Sequence, residues 1–264
     1  MQTIDRTVEI LHTVALVPTG LNLTEIADQL GLPKTTVYRM LQALVKHDFL
    51  RKEELTKVYR LGPALLMLGA DSLNQWDLRS IALPYLQQLA HITNETVCLA
   101  ALYKDTAVCL ETIESDRSSS FWVRIGREMD FHCAAAGKAI LAFQSEEQID
   151  KLLRQKPLPA YTSRTMTDIE ALKEHCHYVR RQGYASCDGE LEVGVTAIAT
   201  PIMQSDGKVV GSVTIIAPAE RLSGEARERI LPYLFDTSRQ ISMHLGYRSS
   251  TPIPGIPQLA QQAA

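Results

Sequence analysis

A chain of 264 residues, 45% hydrophobic and 22% charged with a formal net charge of −3, exceeds one average domain but has ordinary globular composition, so two domains of unequal size are expected. No run of eighteen or more apolar residues occurs, which argues against a membrane span. Asp5, Arg6 and Glu9 fall where the apolar part of a secretory leader would lie, so a cytosolic protein is expected. The acidic balance excludes a protein basic all over, but not one with a local basic face for nucleic acid.

The first predicted helix is "TIDRTVEILHTVAL", where Ile4, Val8, Leu11 and Ala15 recur at spacings of three and four and are expected to form its buried face. Pro18, Thr19 and Gly20 end it. Thr24 is the expected cap of a second helix whose Ile26, Ala27 and Leu30 point inward, and Gly31 supplies the sharp turn out of it. Pro33 then suits the first position of a third helix. There Val37, Met40, Leu41 and Leu44 are the expected core residues, leaving Lys34, Thr35, Thr36, Tyr38, Arg39 and Gln42 outward or flanking.

Charge is distributed to match. Residues 1–62 hold eight Lys or Arg against seven Asp or Glu, and within "PKTTVYRMLQALVK" the cations Lys34, Arg39 and Lys46 have no acidic neighbour. A helix that presents Lys, Thr, Tyr and Arg after a short turn offers base-edge donors and phosphate partners on one face, as insertion into a major groove requires. "FLRKEELTKVYRLG" follows as a hairpin wing, with Arg51, Lys52, Lys57 and Arg60 able to track a phosphate backbone. The alternative is a three-helix protein-interaction module without sequence-specific DNA binding, its charges merely solvated.

Two helical stretches come next, "PALLMLGADSLNQW" (63–76), suited to a linker between domains, and "DLRSIALPYLQQLAHIT". Strands are predicted in "ETVCLAALYKDTAVCLETIES" around the turn "YKDT", and in "GVTAIATPIMQSDGKVVGSVTIIAP" around Asp206-Gly207, a strong hairpin signal. Helices over 134–143, 146–154, 167–182 and 222–245 fill the rest. Hairpins mixed with helices, without strict alternation, imply an α+β domain on an antiparallel sheet. The tail 249–264, rich in Pro, Gln and Ala, is expected to be disordered. The resulting division is 1–62, 63–76, 77–248 and 249–264.

Five cysteines without a CxxC pair, Cys98, Cys109, Cys133, Cys176 and Cys187, are expected to be reduced thiols. His175, Cys176 and His177 invite a metal reading, but neighbours two apart on a helix point about 200° apart and do not converge on one ion. No metal and no cofactor are expected.

The ordered segments "TIDRTVEIL", "LTEIADQLGLPKTTVYRMLQAL", "YRLG", "FHCAAAGKAILA", "GYASCDGELEVGVTAIATPI" and "GSVTIIAP" resemble the IclR family of bacterial transcriptional regulators from about residue 3 to residue 247. The resemblance implies a winged helix-turn-helix, a linker helix and a GAF-like effector domain. It further implies a homodimer, or a dimer of dimers, on a pseudopalindromic operator.

In that family an effector is held where "HCAAAGK" precedes a helix, so the resemblance places a carboxylate near Ala135, Ala136 and Gly137, on free backbone N–H groups at the helix N-terminus. Equally, those small residues can serve close packing alone. Many relatives carry an Asp after "GYA", a Cys ten residues on and a Ser-x-Ser pair on the last strand. Aligned positions here are Cys187, Ala197, Thr214 and Ile216, with Asp188 displaced by one. Loss of polar partners disfavours a two- or three-carbon keto acid. The expected effector is an aromatic or medium-chain carboxylate, its body against Trp122, Ile125, Met129, Ala197 and Ile216.

An enzyme is not expected. Cys187 lies near Asp188 and Glu190, His132 beside Cys133, and a serine stands at 186, but no nucleophile elbow, Walker loop, HExxH or dinucleotide fingerprint occurs.

Overall fold

The computed structural model describes residues 2–74, 77–115, 117 and 123–248. The chain forms two compact units, Met1–Trp76 and Asp77–Ala264. The stretch expected to be a disordered tail, 249–264, lies outside the described residues.

In the first unit, α1 (Gln2–Ala15), α2 (Leu23–Leu30) and α3 (Lys34–Lys46) precede the strands β1 (Leu50–Lys52) and β2 (Tyr59–Leu61), and α4 (Pro63–Asn74) follows. The core is Ile10, Val14, Leu21, Ile26, Ala27, Val37, Leu41, Leu44, Leu50 and Tyr59. The buried face expected for α1 is corrected: Ile4 is 71% and Val8 45% exposed, while Ile10 and Val14 are buried. This helix carries two apolar arcs, and periodicity alone does not say which one meets α2 and the wing.

The cap of α2 is corrected too. Asn22, not Thr24, caps the helix: its side-chain oxygen accepts from the N–H groups of Thr24 and Glu25 at 2.9 and 3.1 Å, and the Glu25 carboxylate accepts the Asn22 N–H at 2.7 Å. Gly31, at φ +62°, adopts the left-handed conformation that closes α2. Pro33 is the N-cap of α3, one residue before its first turn. β1 and β2 pair antiparallel, Arg51 opposite Arg60, as a wing beside α3.

The second unit begins with α5 (Asp77–Thr93) and holds an antiparallel sheet of five strands in the order β4-β3-β7-β6-β5: β3 (Thr96–Tyr103), β4 (Thr106–Ile113), β5 (Ala185–Asp188), β6 (Val195–Met203) and β7 (Val209–Pro218). α5 and α9 (Gly224–His244) pack together on the sheet. α6 (Ala135–Ala142) lies against β5, β6 and β7, with α7 (Glu146–Arg154) and α8 (Ile169–Gln182) around it. The stretch after "GYA" is edge strand β5, paired Cys187 to Ala197. Its Ser, Cys and Asp carry little strand signal, and pairing with β6 decides its conformation.

Candidate DNA interface and effector cavity

α3 buries Val37, Leu41 and Leu44 and leaves Lys34, Thr35, Tyr38 and Arg39 exposed, with Thr36 half-buried. Burying every third or fourth residue fixes the helix's rotation and so aims the polar side at solvent. On the wing Arg51 and Lys57 are exposed and Arg60 half-buried. Lys57 pairs with Glu54 at 3.3 Å and Arg60 with Glu53 at 3.8 Å, whereas Lys34, Arg39 and Arg51 make no ion pair among the described residues. The surface holds one feature not seen in the sequence. Arg39 borders a groove of about 570 Å³ between α1 and α3, shared with Arg6, Thr3, Thr7, Met40, His47 and Phe49.

In the second unit a cavity of about 110 Å³ lies at the N-terminus of α6, several times the ~10–15 Å³ that one water needs on the same measure. Its lining comprises Val123, Arg127, Met129, Ala134, Ala135, Ala136, Cys187, Leu191, Glu192, Val195, Ala197, Thr214 and Ile216. Among the expected effector residues the structure thus brings together Met129, Ala135, Ala136, Cys187, Ala197, Thr214 and Ile216. Ile125 is 44% exposed and not in the wall. Asp188 is ion-paired with Arg227. Gly137 serves packing: a Cβ there would meet the Asp130 carbonyl oxygen at 2.4 Å. Trp122 lies outside the described residues.

Besides the charged Arg127 and Glu192, the polar groups of this cavity are few. α6 starts at N-cap Ala134 without a side-chain cap, and its first intrahelical bond is Lys138 N–H to Ala134 O at 2.9 Å, so the amides of Ala135, Ala136 and Gly137 precede the helical ladder. Thr214 is 1% exposed and its hydroxyl has no hydrogen-bond partner among the described residues. Burial pushes the Cys187 thiol above its ordinary value, against a smaller opposing pull from Lys138. Behind the wall, Lys138 and Glu190 form a pair at 2.6 Å with side chains 3% and 14% exposed. The hydroxyls of Thr162 and Thr165 donate to the carbonyls of Gly189 at 2.7 Å and Glu190 at 2.6 Å, anchoring the loop that carries Leu191 and Glu192.

Sequence reasoning missed Val123, Arg127, Ala134, Leu191, Glu192 and Val195. Val195 had a signal, being two residues from Ala197 on one strand face; the loop residues had none. The chemistry candidates are also placed. Burial, then Asp130, pushes the Cys133 thiol up to about 12, and the His132 ring lies 3.0 Å from the Pro159 carbonyl. Among the described residues no group of three or more His, Cys, Asp or Glu is positioned to hold a metal ion, and no helix is long and apolar enough to cross a membrane.

Comparison with known proteins agrees with both halves of this architecture. The "IclR helix-turn-helix domain" family matches residues 3–54 and the "Bacterial transcriptional regulator IclR C-terminal" family residues 70–243. The HTH-type transcriptional regulator KdgR of Escherichia coli is 32% identical over 227 residues, 86% of each chain. A crystal structure of an IclR transcriptional regulator from Alicyclobacillus acidocaldarius superposes with a TM-score of 0.80 at 30% identity, covering 93% of this chain and 99% of the other. An IclR homolog from Microbacterium hydrocarbonoxydans, crystallised in complex with 4-hydroxybenzoate, gives 0.77 at 26% identity, with 92% and 99% covered. The winged helix-turn-helix and the sheet domain with its cavity are those of a helix-turn-helix transcriptional regulator, and the chain belongs to the IclR family.

Proposed function

We propose that the protein binds operator DNA through α3 and the wing as a cytoplasmic homodimer, or a dimer of dimers, and that a carboxylate with an apolar body enters the α6 cavity and alters that binding. Lys34, Thr35, Thr36, Tyr38 and Arg39 read base edges and nearby phosphates, and Arg51, Lys57 and Arg60 track the backbone. Exposed Leu66, Met67 and Leu68 on α4 support self-association, since a run of exposed apolar residues disfavours a lone chain.

The observation that carries the effector reading is the meeting, in one mostly apolar cavity whose charged lining residues are Arg127 and Glu192, of uncapped amides on α6 with a Thr214 hydroxyl that has no hydrogen-bond partner among the described residues. A carboxylate satisfies both at once, while Val123, Met129, Ala197 and Ile216 receive its body. The aromatic carboxylate bound by the Microbacterium relative belongs to this chemical class. Binding changes operator affinity only by the effector's preference between two states, about 1–3 kcal/mol in typical cases. The protein is read as a regulator without catalysis: burial and the neighbouring Asp130 carboxylate hold the Cys133 thiol high, against formation of a thiolate nucleophile.

The test uses full-length protein and promoter fragments of its own genome. Expected is preferential binding of one fragment that weakens steeply with salt, together with a thermal shift from aromatic or medium-chain carboxylates. Absence of any fragment preference, with and without metabolite extract, overturns the operator reading. Salt-independent binding would favour the protein-interaction module. Saturation by a small keto acid, with larger acids inert, overturns the effector class.

A further inference from the structure

β3 and β4 carry two thiols that neither DNA binding nor effector binding uses. Cys98 and Cys109 are 0% and 1% exposed, both free, with their sulfurs 3.4 Å apart. Cys98 pairs with Thr112 and Ala100 with Cys109 across an irregularity at Leu99/Ala100, so the thiols share one face of the hairpin, diagonally across a bulge. Cys98 also stands opposite Thr214 of β7, whose side chain lines the cavity.

The backbone of Cys109 holds the cavity's wall. Its N–H donates to Arg127 O at 2.9 Å and its carbonyl accepts from Gly126 N–H at 2.8 Å. The Thr112 hydroxyl, 3.5 Å from the Cys109 sulfur, donates to Val123 O at 2.8 Å. Val123 and Arg127 are both in the lining. β4 is an edge strand, its outer side met by this short segment, so local opening gives a small oxidant access to Cys109 without unfolding the sheet.

We propose that Cys98 and Cys109 form a redox-active dithiol, closed to a disulfide by hydrogen peroxide or an alkyl hydroperoxide, and that closure resets the wall of the effector cavity. Cys109 is the attacking sulfur. A hydrogen bond from Cys98 pulls its thiol below the ordinary value against burial, whereas the bond to Cys109, reinforced by burial, pushes Cys98 up. The Cys109 thiolate attacks a peroxide oxygen and the O–O bond breaks; the departing hydroxide takes up the thiol's proton and leaves as water. The Cys98 sulfur then attacks the sulfenic sulfur, its proton joining the expelled hydroxide as a second water. Two electrons and two protons leave the thiols, and hydrogen peroxide is reduced to two waters, or a hydroperoxide to alcohol and water. Closing to a bond of about 2.05 Å requires an approach of about 1.3 Å, shared between the two side chains and the bulge.

Cys133 and Cys176 suit this chemistry less. Burial pushes them up to about 12 and about 11, and neither is in hydrogen-bonding contact with a second sulfur among the described residues.

The reduced full-length protein is treated with hydrogen peroxide, quenched, unfolded and alkylated. Expected are an intact mass lower by two hydrogens, three alkylated cysteines out of five, and a proteolytic fragment linking Cys98 to Cys109. In Cys98→Ser the link disappears and a sulfenic-acid trap labels Cys109; in Cys133→Ser the link persists. Five alkylated cysteines, or a link through any other cysteine, overturn the dithiol. Hydrogen exchange over residues 123–129 reads the coupling, with protection expected to differ between oxidised and reduced wild type but not for Cys98→Ser. A disulfide that leaves this exchange unchanged overturns the link to the cavity. Neither readout needs operator or effector, so failure here is separable from failure of the regulator reading.

Discussion

α3 and α6 are both short helices at a candidate binding site, yet they bury themselves in opposite ways. α3 hides one stripe, Val37, Leu41 and Leu44, and offers side chains to a partner. Every residue of α6 is buried, so it offers its backbone end and the space before it. An interface made of side chains tolerates change position by position and responds to charge; an enclosed cavity responds to volume and to unpaired polar groups. The two sites should therefore fail differently under mutation.

The largest effect is expected behind α6. Lys138→Met leaves the Glu190 carboxylate without its counterion in a site where its second oxygen already lacks a partner among the described residues. Removing one member of a buried pair costs about 3–5 kcal/mol. Denaturant unfolding of the sheet domain should register that loss, and Lys138→Met/Glu190→Gln should recover part of it. The same lysine bears on pH dependence. His175, held down to about 4 by burial first and Lys138 second, takes up its proton more readily unfolded, near 6.5. The stability that His175 contributes is thus complete above about pH 6.5 and declines as pH falls from there to about 4. Lys138→Met should narrow that window, as NMR titration of His175 would register.

Next comes Gly137→Ala. The new methyl meets the Asp130 carbonyl at 2.4 Å and the Met129 carbonyl at 2.9 Å, both backbone atoms, so α6 or the cavity wall must move. Overpacking costs about 1–3 kcal/mol, and thermal unfolding should show it. A neutral Gly137→Ala would mean that α6 has more room than its close packing implies.

On α3 the effect shifts from stability to binding. Arg39→Ala should leave unfolding unchanged and cost about 1–3 kcal/mol on operator DNA, with relaxed sequence preference. Lys57→Ala should weaken all sequences alike and lower the salt slope by about one ion. Normal operator binding by both variants would break the assignment of the reading surface.

The contrast also explains what the sequence made legible. In α2 and α3 the apolar spacing, Gly31 and Pro33 mark elements by local chemistry, and the structure follows them closely. Where two local solutions compete, as for the two arcs of α1 or for Asn22 and Thr24 as caps, tertiary contact and a reciprocal bond from Glu25 decide. β5 was unreadable because pairing with β6, not propensity, makes it a strand. The small-residue run at the start of α6 was visible, but not that Gly137 turns to Asp130 while Ala135 and Ala136 turn to the cavity. Val123, Arg127 and Glu192 reach the cavity through sheet registers and loop anchors that no spacing encodes.

The smallest effect is the sharpest on the cavity. In Thr214→Val the shape is kept and a buried hydroxyl without a partner among the described residues is removed. If the hydroxyl has no role, the variant differs in nothing but the loss of an unsatisfied group, and the free protein gains up to about 1 kcal/mol. If it receives a carboxylate, the free protein gains the same, but the bound state loses a hydrogen bond to a charged group, about 1.5–3 kcal/mol. The expected signature is a melting temperature that is unchanged or raised without ligand, and a carboxylate-induced shift that shrinks or vanishes. A variant that is stabilised alone yet keeps the full shift would move the carboxylate onto the α6 amides alone. A variant destabilised without ligand would mean that Thr214 already serves the fold, and the cavity would lose the polar group that marks it as a binding site.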